Sequence, residues 1–168
     1  MDALTIRPAR IDDLPRLTDI YNHYIVNTPI TFDIDPVTVE ERRPWFAQFA
    51  ETGRHRLFVV ERDGIVVAYA GSHQFRTKRA YDTTVETTIY CAPEATGSGI
   101  GGALYATLFE AIAGEDVRIA IAGITVPNDA SVAIHARFGF VPAGLMHDVG
   151  RKFGKYWDVL WMERRFGD

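Results

Sequence analysis

The chain has 168 residues, of which 47% are hydrophobic and 24% charged, and its formal net charge at pH 7 is −4. This length suits one domain with its own core and is short for two, so we expect residues 1–168 to form a single domain. The acidic balance, with no long run of lysine and arginine, argues against nucleic acid as a partner.

The sequence lacks the usual signals for export and for membrane insertion. Its first residues show neither a basic stretch nor a long apolar run, and no apolar segment reaches membrane-spanning length. Because Cys91 is the single cysteine, no internal disulfide bond can form. We therefore expect a cytoplasmic protein that does not use a membrane as a partner.

Hydrophobic periodicity predicts strands and helices in a mixed order. In chain order, we expect a strand at residues 4–7, helices at 11–22 and 39–52, strands at 57–62, 65–74 and 84–91, a helix at 99–113, a strand at 118–126, a helix at 131–138 and two terminal strands. Asp63 and Gly64 form a strong two-residue hairpin signal. The predicted core faces of the first two helices are Leu14, Leu17 and Tyr21, and Trp45, Phe46 and Phe49. This order predicts an α/β (α+β) fold with a central mixed, mostly antiparallel twisted sheet and helices on both faces.

A glycine-rich segment separates the strand at 84–91 from the helix at 99–113. It consists of Thr96, Gly97, Ser98, Gly99, Ile100, Gly101 and Gly102. Exposed amide groups at the start of a helix form a cradle for phosphate. One alternative is a flexible turn in which Ser98 caps the helix. Another, a Rossmann dinucleotide turn, is disfavoured because that turn follows its strand immediately, whereas residues 92–96 intervene here and Pro93 ends the strand.

A second segment, residues 128–140, begins with Asn128, carries Ser131 and His135, and ends in Gly139 and Phe140. Together the two segments resemble the GCN5-related N-acetyltransferase (GNAT) family, whose motifs are Arg/Gln-x-x-Gly-x-Gly/Ala and Asn-x-x-Ala/Ser-x-x-x-Tyr/His-x-x-x-Gly-Phe/Tyr. The similarity runs over nearly the whole chain and is greatest to the phosphinothricin and methionine sulfoximine acetyltransferase branch. The chain departs from the family at Thr96, where an Arg or Gln is usual.

The resemblance implies acetyl-CoA as co-substrate, with direct acetyl transfer in a ternary complex. In the family the sheet opens just after the strand that carries Glu86, and the pantetheine arm enters the gap. The backbone of Thr88, Ile89 and Tyr90 would then pair with this arm like an added strand. Asn128 would form a hydrogen bond with the pantetheine amide or with the thiol end, and Ser131 would add a contact on the same side. Asn128 is also an ordinary helix cap.

Two side chains match the catalytic positions of the family. Strict alternation places Glu86 on one face of its strand with Thr84 and Thr88, and a carboxylate there would serve as the base for an amine. The alternative is an ion pair with an arginine such as Arg76. The other position is His135, which stands where many relatives have a Tyr that protonates the coenzyme A thiolate.

The resemblance also implies the walls of the acceptor site, namely residues 27–33 and 75–81. We expect Arg76 to bind a substrate carboxylate, Phe32 to close over an apolar side chain and Tyr81 to line the same site. The implied substrate is the α-amino group of a small amino acid or toxic analogue, of the phosphinothricin, methionine sulfoximine or sulfone, or arsinothricin type.

Other functions are compatible with the same motifs. A protein or peptide acetyltransferase acting on N-termini or lysines would need an open groove, and a non-catalytic acyl-CoA-binding module would not need both Glu86 and His135. The five histidines are scattered without ligand spacing, so we expect no metal. The resemblance implies a homodimer, and the dense aromatic C-terminal segment favours one. Its aromatic residues are Phe153, Tyr156, Trp157, Trp161 and Phe166.

Overall fold

One seven-stranded sheet organises residues 4–167, which are the residues that the computed structural model describes. Its strands are β1 (Leu4–Pro8), β2 (Leu57–Arg62), β3 (Ile65–Gln74), β4 (Thr84–Cys91), β5 (Ile119–Val126), β6 (Val141–Lys152) and β7 (Lys155–Arg165). They lie in the order β1-β2-β3-β4-β5-β7-β6, and every neighbouring pair is antiparallel except β4 and β5. The predicted mixed, mostly antiparallel sheet is confirmed.

Helices cover both faces of this sheet, as the element order predicted. They are α1 (Leu14–Asn27), α2 (Val39–Phe46), α3 (Ile100–Ala113) and α4 (Asp129–Arg137). Alternate residues of β2 point to opposite faces, so Val59 packs in one apolar cluster with Leu17 of α1, while Val60 packs in another with Leu104 of α3. None of the helices in the described part of the chain is long and apolar enough to cross a membrane.

The first two helices end at different residues from those predicted. α1 continues to Asn27 instead of residue 22, because Ile25 extends its buried face and the chain turns extended at Thr28, before Pro29. α2 ends at Phe46 instead of residue 52, where tighter turns replace the helix: the amide of Phe49 donates to the carbonyl of Phe46. Trp45, Phe46 and Phe49 nevertheless pack on the core as predicted.

The parallel pair β4 and β5 separates part-way along its length. Its register runs from Thr84 opposite Ile119 to Glu86 opposite Ile121, and the described residues show no pairing of these strands beyond that point. β4 stays paired with β3 along its other edge up to Cys91. The sheet therefore opens just after Glu86, as the family resemblance implied.

Candidate active site

A cavity of about 340 Å³ lies at this opening and contains the predicted catalytic side chains. Glu86 lines it from β4, and His135 lines it from α4, with Asn128 and Ser131 beside His135. The separation of β4 and β5 thus brings together residues that are far apart in the sequence and lie on different layers of the fold.

Burial sets the properties of the Glu86 carboxyl. Glu86 lies directly opposite His73 of β3, and burial raises the pKa of its carboxyl above the usual range, although the positive charge of Arg76 acts in the opposite direction. Among the described residues, Glu86 forms neither a hydrogen bond through its carboxyl nor an ion pair, so the alternative of a satisfied Arg76 partner is disfavoured. An unpaired carboxylate with a raised pKa suits a general base.

His135 is held by hydrogen bonds at both of its ring nitrogens. Its Nδ1 lies 2.7 Å from the Ser131 carbonyl oxygen, which can only accept, so Nδ1 carries the proton. Nε2 lies 3.0 Å from the hydroxyl of Tyr105 and in the neutral ring accepts from it. Burial lowers the pKa of His135. The Asn128 Oδ1 accepts from the amide of Ser131 at 3.1 Å, so Asn128 is a helix cap as well as a cavity residue.

The glycine-rich segment lines a second, adjoining cleft of about 620 Å³. Gly99 is the N-cap of α3 with φ of +78°, a left-handed conformation that glycine adopts without strain. The alternative in which Ser98 caps the helix is wrong, because the Ser98 hydroxyl donates to the Ala95 carbonyl at 2.6 Å. The Thr96 hydroxyl likewise donates to the Pro93 carbonyl, at 3.0 Å. The amides of Ile100 and Gly101 have no acceptor within the helix, whereas that of Gly102 donates to the Gly99 carbonyl at 3.1 Å. All three residues lie in the wall of this cleft, which suits a phosphate.

The edge of β4 that faces the gap connects the two cavities. Thr88, Ile89 and Tyr90 line the first cavity, and Ile89 and Tyr90 also line the second. Thr88 Oγ1 is buried and has no hydrogen-bond partner in the described structure. The unpaired edge of β4 and the unsatisfied buried hydroxyl of Thr88 both suit an extended pantetheine arm, whose amides could bind along this strand.

Sequence reasoning missed a cation beside the glycine-rich segment. Arg137, at the end of α4, lines the second cleft, and a Cβ on Gly102 would lie 3.3 Å from its Nη1. Within the described residues the Arg137 guanidinium has no acidic partner. A positive charge therefore lies near the cradle, although Thr96 supplies none. In the sequence, the only sign of this role for Arg137 was that a basic residue lies on the helix of the second motif.

Of the predicted acceptor walls, Ile30 and Thr31 line the cavity that contains Glu86, whereas Phe32, Arg76 and Tyr81 do not. Phe32 packs against Gly150, and with Arg76 it lines a separate outer depression. The Arg76 guanidinium lies 4.8 Å from the centroid of the Phe75 ring, and the Tyr81 ring lies 5.7 Å from the same ring. These residues are neighbours of one another, and Arg76 is near enough to affect the Glu86 carboxyl.

The same cavity is also lined by side chains that were not predicted as site residues. They include Arg42, Tyr69 and His73, together with Tyr21 and Trp45, which were predicted as core residues. The clearest signal among them was Arg42, which is a charged residue three positions before Trp45 and therefore on the helix face assigned to the core. The described residues contain no group of three or more metal-ligating side chains.

Comparisons with known proteins agree with this geometry. The model of the acetyltransferase (GNAT) domain family matches residues 6–161. The phosphinothricin N-acetyltransferase of Streptomyces coelicolor is 54% identical, over 95% of this chain and 94% of its own. The L-methionine sulfoximine/L-methionine sulfone acetyltransferase of Pseudomonas paraeruginosa is 33% identical, over 95% and 92%. The crystal structure of a phosphinothricin acetyltransferase from Sinorhizobium meliloti, in complex with acetyl-CoA, superposes with a TM-score of 0.92 at 34% identity, over 98% of this chain and 89% of that one. The chain therefore belongs to the GNAT family of N-acetyltransferases.

Proposed function

We propose that this protein transfers the acetyl group of acetyl-CoA to the α-amino group of a small amino acid or amino-acid analogue. The observation that carries the proposal is the unpaired Glu86 carboxyl in a cavity of about 340 Å³ at the opening of the sheet. A cavity of this size suits a small molecule. The names of the relatives point to phosphinothricin, methionine sulfoximine and methionine sulfone as substrates to test.

The residues of the two cavities would bind different parts of acetyl-CoA. The amides of residues 97–102 and the Arg137 guanidinium would hold the pyrophosphate, and Thr88, Ile89, Tyr90, Asn128 and Ser131 would hold the arm. Bound acetyl-CoA supplies an activated acyl group on sulfur. These contacts keep its reactive end beside Glu86, which supports direct transfer in a ternary complex without an acyl-enzyme.

Two titratable side chains, Glu86 and His135, would move the protons of the reaction. Glu86 takes a proton from the substrate ammonium, so the nitrogen can form a bond to the acetyl carbon while the bond from that carbon to sulfur breaks. His135 would act in its protonated form, in which Nε2 gives its proton to the Tyr105 hydroxyl 3.0 Å away while that hydroxyl gives its own proton to the departing sulfur. The lowered pKa of His135 makes it a stronger acid for this step. Phe32, Arg76 and Tyr81 remain predicted walls of the acceptor site, at its outer side.

We propose in addition that residues 1–168 form one acetyltransferase domain, that the protein acts in the cytoplasm and that it is a homodimer. One continuous sheet and a family match over residues 6–161 support the first. Exposed apolar side chains on β6 and β7 support the dimer. The acidic net charge gives no reason to invoke nucleic acid.

The test is release of thiol from acetyl-CoA by the purified protein. The acceptors are phosphinothricin, L-methionine sulfoximine, L-methionine sulfone, free amino acids and short peptides. We expect saturable release with at least one free amino acid or analogue, lowered by about 10²-fold or more in Glu86→Gln and unchanged in Glu110→Gln, an exposed position on α3. Activity with peptides alone would contradict the proposal and favour a protein acetyltransferase.

A further inference from the structure

His73 is a half-buried histidine of the reaction cavity to which the proposed reaction gives no role. It belongs to β3 and lies directly opposite Glu86 of β4 in the antiparallel register. Side chains of directly opposed residues lie on the same face of a sheet, with their Cβ atoms about 5 Å apart. Both residues also line the cavity of about 340 Å³. The imidazole of His73 is therefore a neighbour of the Glu86 carboxyl on the wall of one cavity.

The hydrogen bonding of His73 leaves one of its ring nitrogens available. Nδ1 lies 3.2 Å from the carbonyl oxygen of Gln74, which can only accept, so Nδ1 carries the proton of the neutral ring. Nε2 then presents a lone pair, and it has no hydrogen-bond partner among the described residues. The side-chain atoms that are both buried and unpartnered there are Arg42 Nε and Thr88 Oγ1, so Nε2 of His73 is open to solvent in the cavity.

The surroundings of His73 favour its neutral form. Burial lowers the pKa of the imidazole, although the hydrogen bond with the Gln74 carbonyl acts in the opposite direction. The charge of Arg42 from α2 and that of a protonated His55 lower the pKa further. From α1 the same cavity receives the Tyr21 hydroxyl, which stays neutral because burial raises its pKa to about 12. The ring thus faces Glu86 as a base that takes up a proton and readily gives it away.

A second histidine continues this line of titratable groups toward the surface. His55 precedes β2 and lines a separate polar depression of about 350 Å³. The same depression is lined by Gln74, which follows His73, and by Thr84, which lies two positions before Glu86 on β4. It therefore adjoins the reaction cavity along β3 and β4. Since the charge of His55 acts on His73, the two rings lie within electrostatic reach of each other.

The proposed reaction creates a need for such a route. An ammonium nitrogen that becomes an amide loses two protons, whereas the departing sulfur takes up one, so each turnover releases one proton. With His135 as the source of the proton on sulfur, both protons of the nitrogen leave through Glu86. A carboxylate holds one proton at a time, so Glu86 must pass on the first before it accepts the second. The bound substrates occupy the cavity during this step, which favours an exit through the protein.

We propose that His73 takes the proton from the Glu86 carboxyl at Nε2 and passes it through His55 to the polar depression, an assignment that rests on the proposed function. The O–H bond of the carboxyl breaks and an N–H bond forms at Nε2, so Glu86 returns to its carboxylate form. The imidazolium of His73 then loses a proton to the imidazole of His55, and His55 releases it to solvent. In this role His73 acts through Glu86 and not on the substrate itself.

The test is chemical rescue of His73→Ala by imidazole. With the acceptor that gives the fastest thiol release, we expect kcat to fall by about 10-fold, less than in Glu86→Gln, because Glu86 can still lose its proton slowly to cavity water. Free imidazole should restore kcat saturably, since it fits the space left by the ring, and substituted imidazoles should rescue according to their pKa. His147→Ala is the matched control, because the His147 side chain is 72% exposed and its removal should cause neither loss nor rescue.

An unchanged kcat in His73→Ala would overturn the assignment. So would a loss that imidazole does not restore while the affinity for acetyl-CoA, measured by calorimetry, keeps its wild-type value, because that pattern indicates a packing role.

A measurement without turnover separates this assignment from the proposed function. If the wild type acetylates no acceptor, or if His73→Ala does not fold, titration of the His73 ring by NMR decides. An ionised Glu86 close to the ring favours its protonated form, so the pKa of His73 should be lower in Glu86→Gln than in the wild type. An equal pKa in the two proteins would refute the proton transfer between them.

Discussion

Two opposing influences act on the pKa of the Glu86 carboxyl: burial favours the neutral form, and the charge of Arg76 favours ionisation. Burial dominates, so its pKa is raised. The consequence for the folded protein has a definite sign. A carboxyl whose folded pKa is raised stabilises the fold fully at pH values below the unfolded pKa, and this contribution is lost as the pH rises through the folded pKa.

Glu86→Gln should therefore stabilise the protein at neutral pH while it impairs catalysis. The amide cannot ionise, so the variant avoids the cost that the wild type incurs above its folded pKa. We expect the melting temperature of Glu86→Gln, relative to the wild type, to increase between pH 4 and pH 8 by a few degrees, about the effect of 1 kcal/mol. Calorimetric melting at several pH values measures this difference, and a difference that falls with pH would contradict the raised pKa.

The charge beside the phosphate cradle should depend on Arg137. Thr96 carries no charge, so removal of the Arg137 guanidinium leaves only backbone amides there. We expect Arg137→Ala to raise the KM for acetyl-CoA by about 10-fold with little change in kcat, as loss of one exposed charge-assisted contact implies. Adding the charge usual in the family, by Thr96→Arg in the Arg137→Ala background, should recover part of this loss. An unchanged KM in Arg137→Ala would show that the amides suffice.

At the scale of elements, the start of α3 depends on a conformation that only glycine adopts easily. Gly99 has φ of +78°, and an added Cβ would meet no atom within 4 Å, so substitution there introduces backbone strain without a steric clash. The strain falls on the turn that orients the amides of the cradle. The tight packing of α3 against its neighbours is a separate matter, served by Gly101 and Gly102.

Gly99→Ala should accordingly destabilise the protein by about 1–2 kcal/mol and weaken acetyl-CoA binding. Gly114→Ala, at the other end of α3, is the matched control, because Gly114 has φ of −93° and also has open space around it. Urea denaturation gives the first effect and calorimetric titration with acetyl-CoA the second. Equal stability of the two variants would argue that the cradle does not depend on the left-handed turn.

At the scale of the whole molecule, the terminal strands leave apolar side chains uncovered. Leu145, Met146, Phe153 and Tyr156 are each 47% exposed or more. The aromatic residues near the C-terminus therefore fall into two groups, because Phe153 and Tyr156 are exposed whereas Phe166 lies in the core at 8% exposure. The exposed part forms the surface on which we place the proposed homodimer.

Tyr156→Glu should shift the protein from dimer to monomer at micromolar concentration, because it places a charge within this apolar surface. Ile65→Glu is the control: Ile65 is as exposed, at 59% against 60%, but lies in the β2–β3 hairpin. Light scattering coupled to gel filtration distinguishes the two states. A wild-type protein that is monomeric, or a dimer that Tyr156→Glu leaves intact, would contradict the proposed interface.

The sequence by itself determined the strands, their mixed order and the two motifs of the acetyltransferase. These are local properties: alternation and turn chemistry place β2, β3 and β4, and Gly99, Asn128 and His135 occur at fixed spacings that a single chain displays. The sequence predicted the ends of the helices less well. The end of α2 depends on how Phe49 packs against Trp45 and not on the helix propensity of the segment.

Only the tertiary structure decided which side chains surround Glu86. Arg42, Tyr69 and His73 come from different elements, and they share a wall with Glu86 because β4 separates from β5 and α2 packs over the opposite face. Arg76 was predicted from the sequence because the loop at residues 75–81 corresponds to a substrate wall of the family, and only the structure shows that its guanidinium lies 4.8 Å from the Phe75 ring centroid. Burial and the absence of a hydrogen-bond partner are properties of packing, so the unsatisfied Nε of the buried Arg42 was visible only in three dimensions.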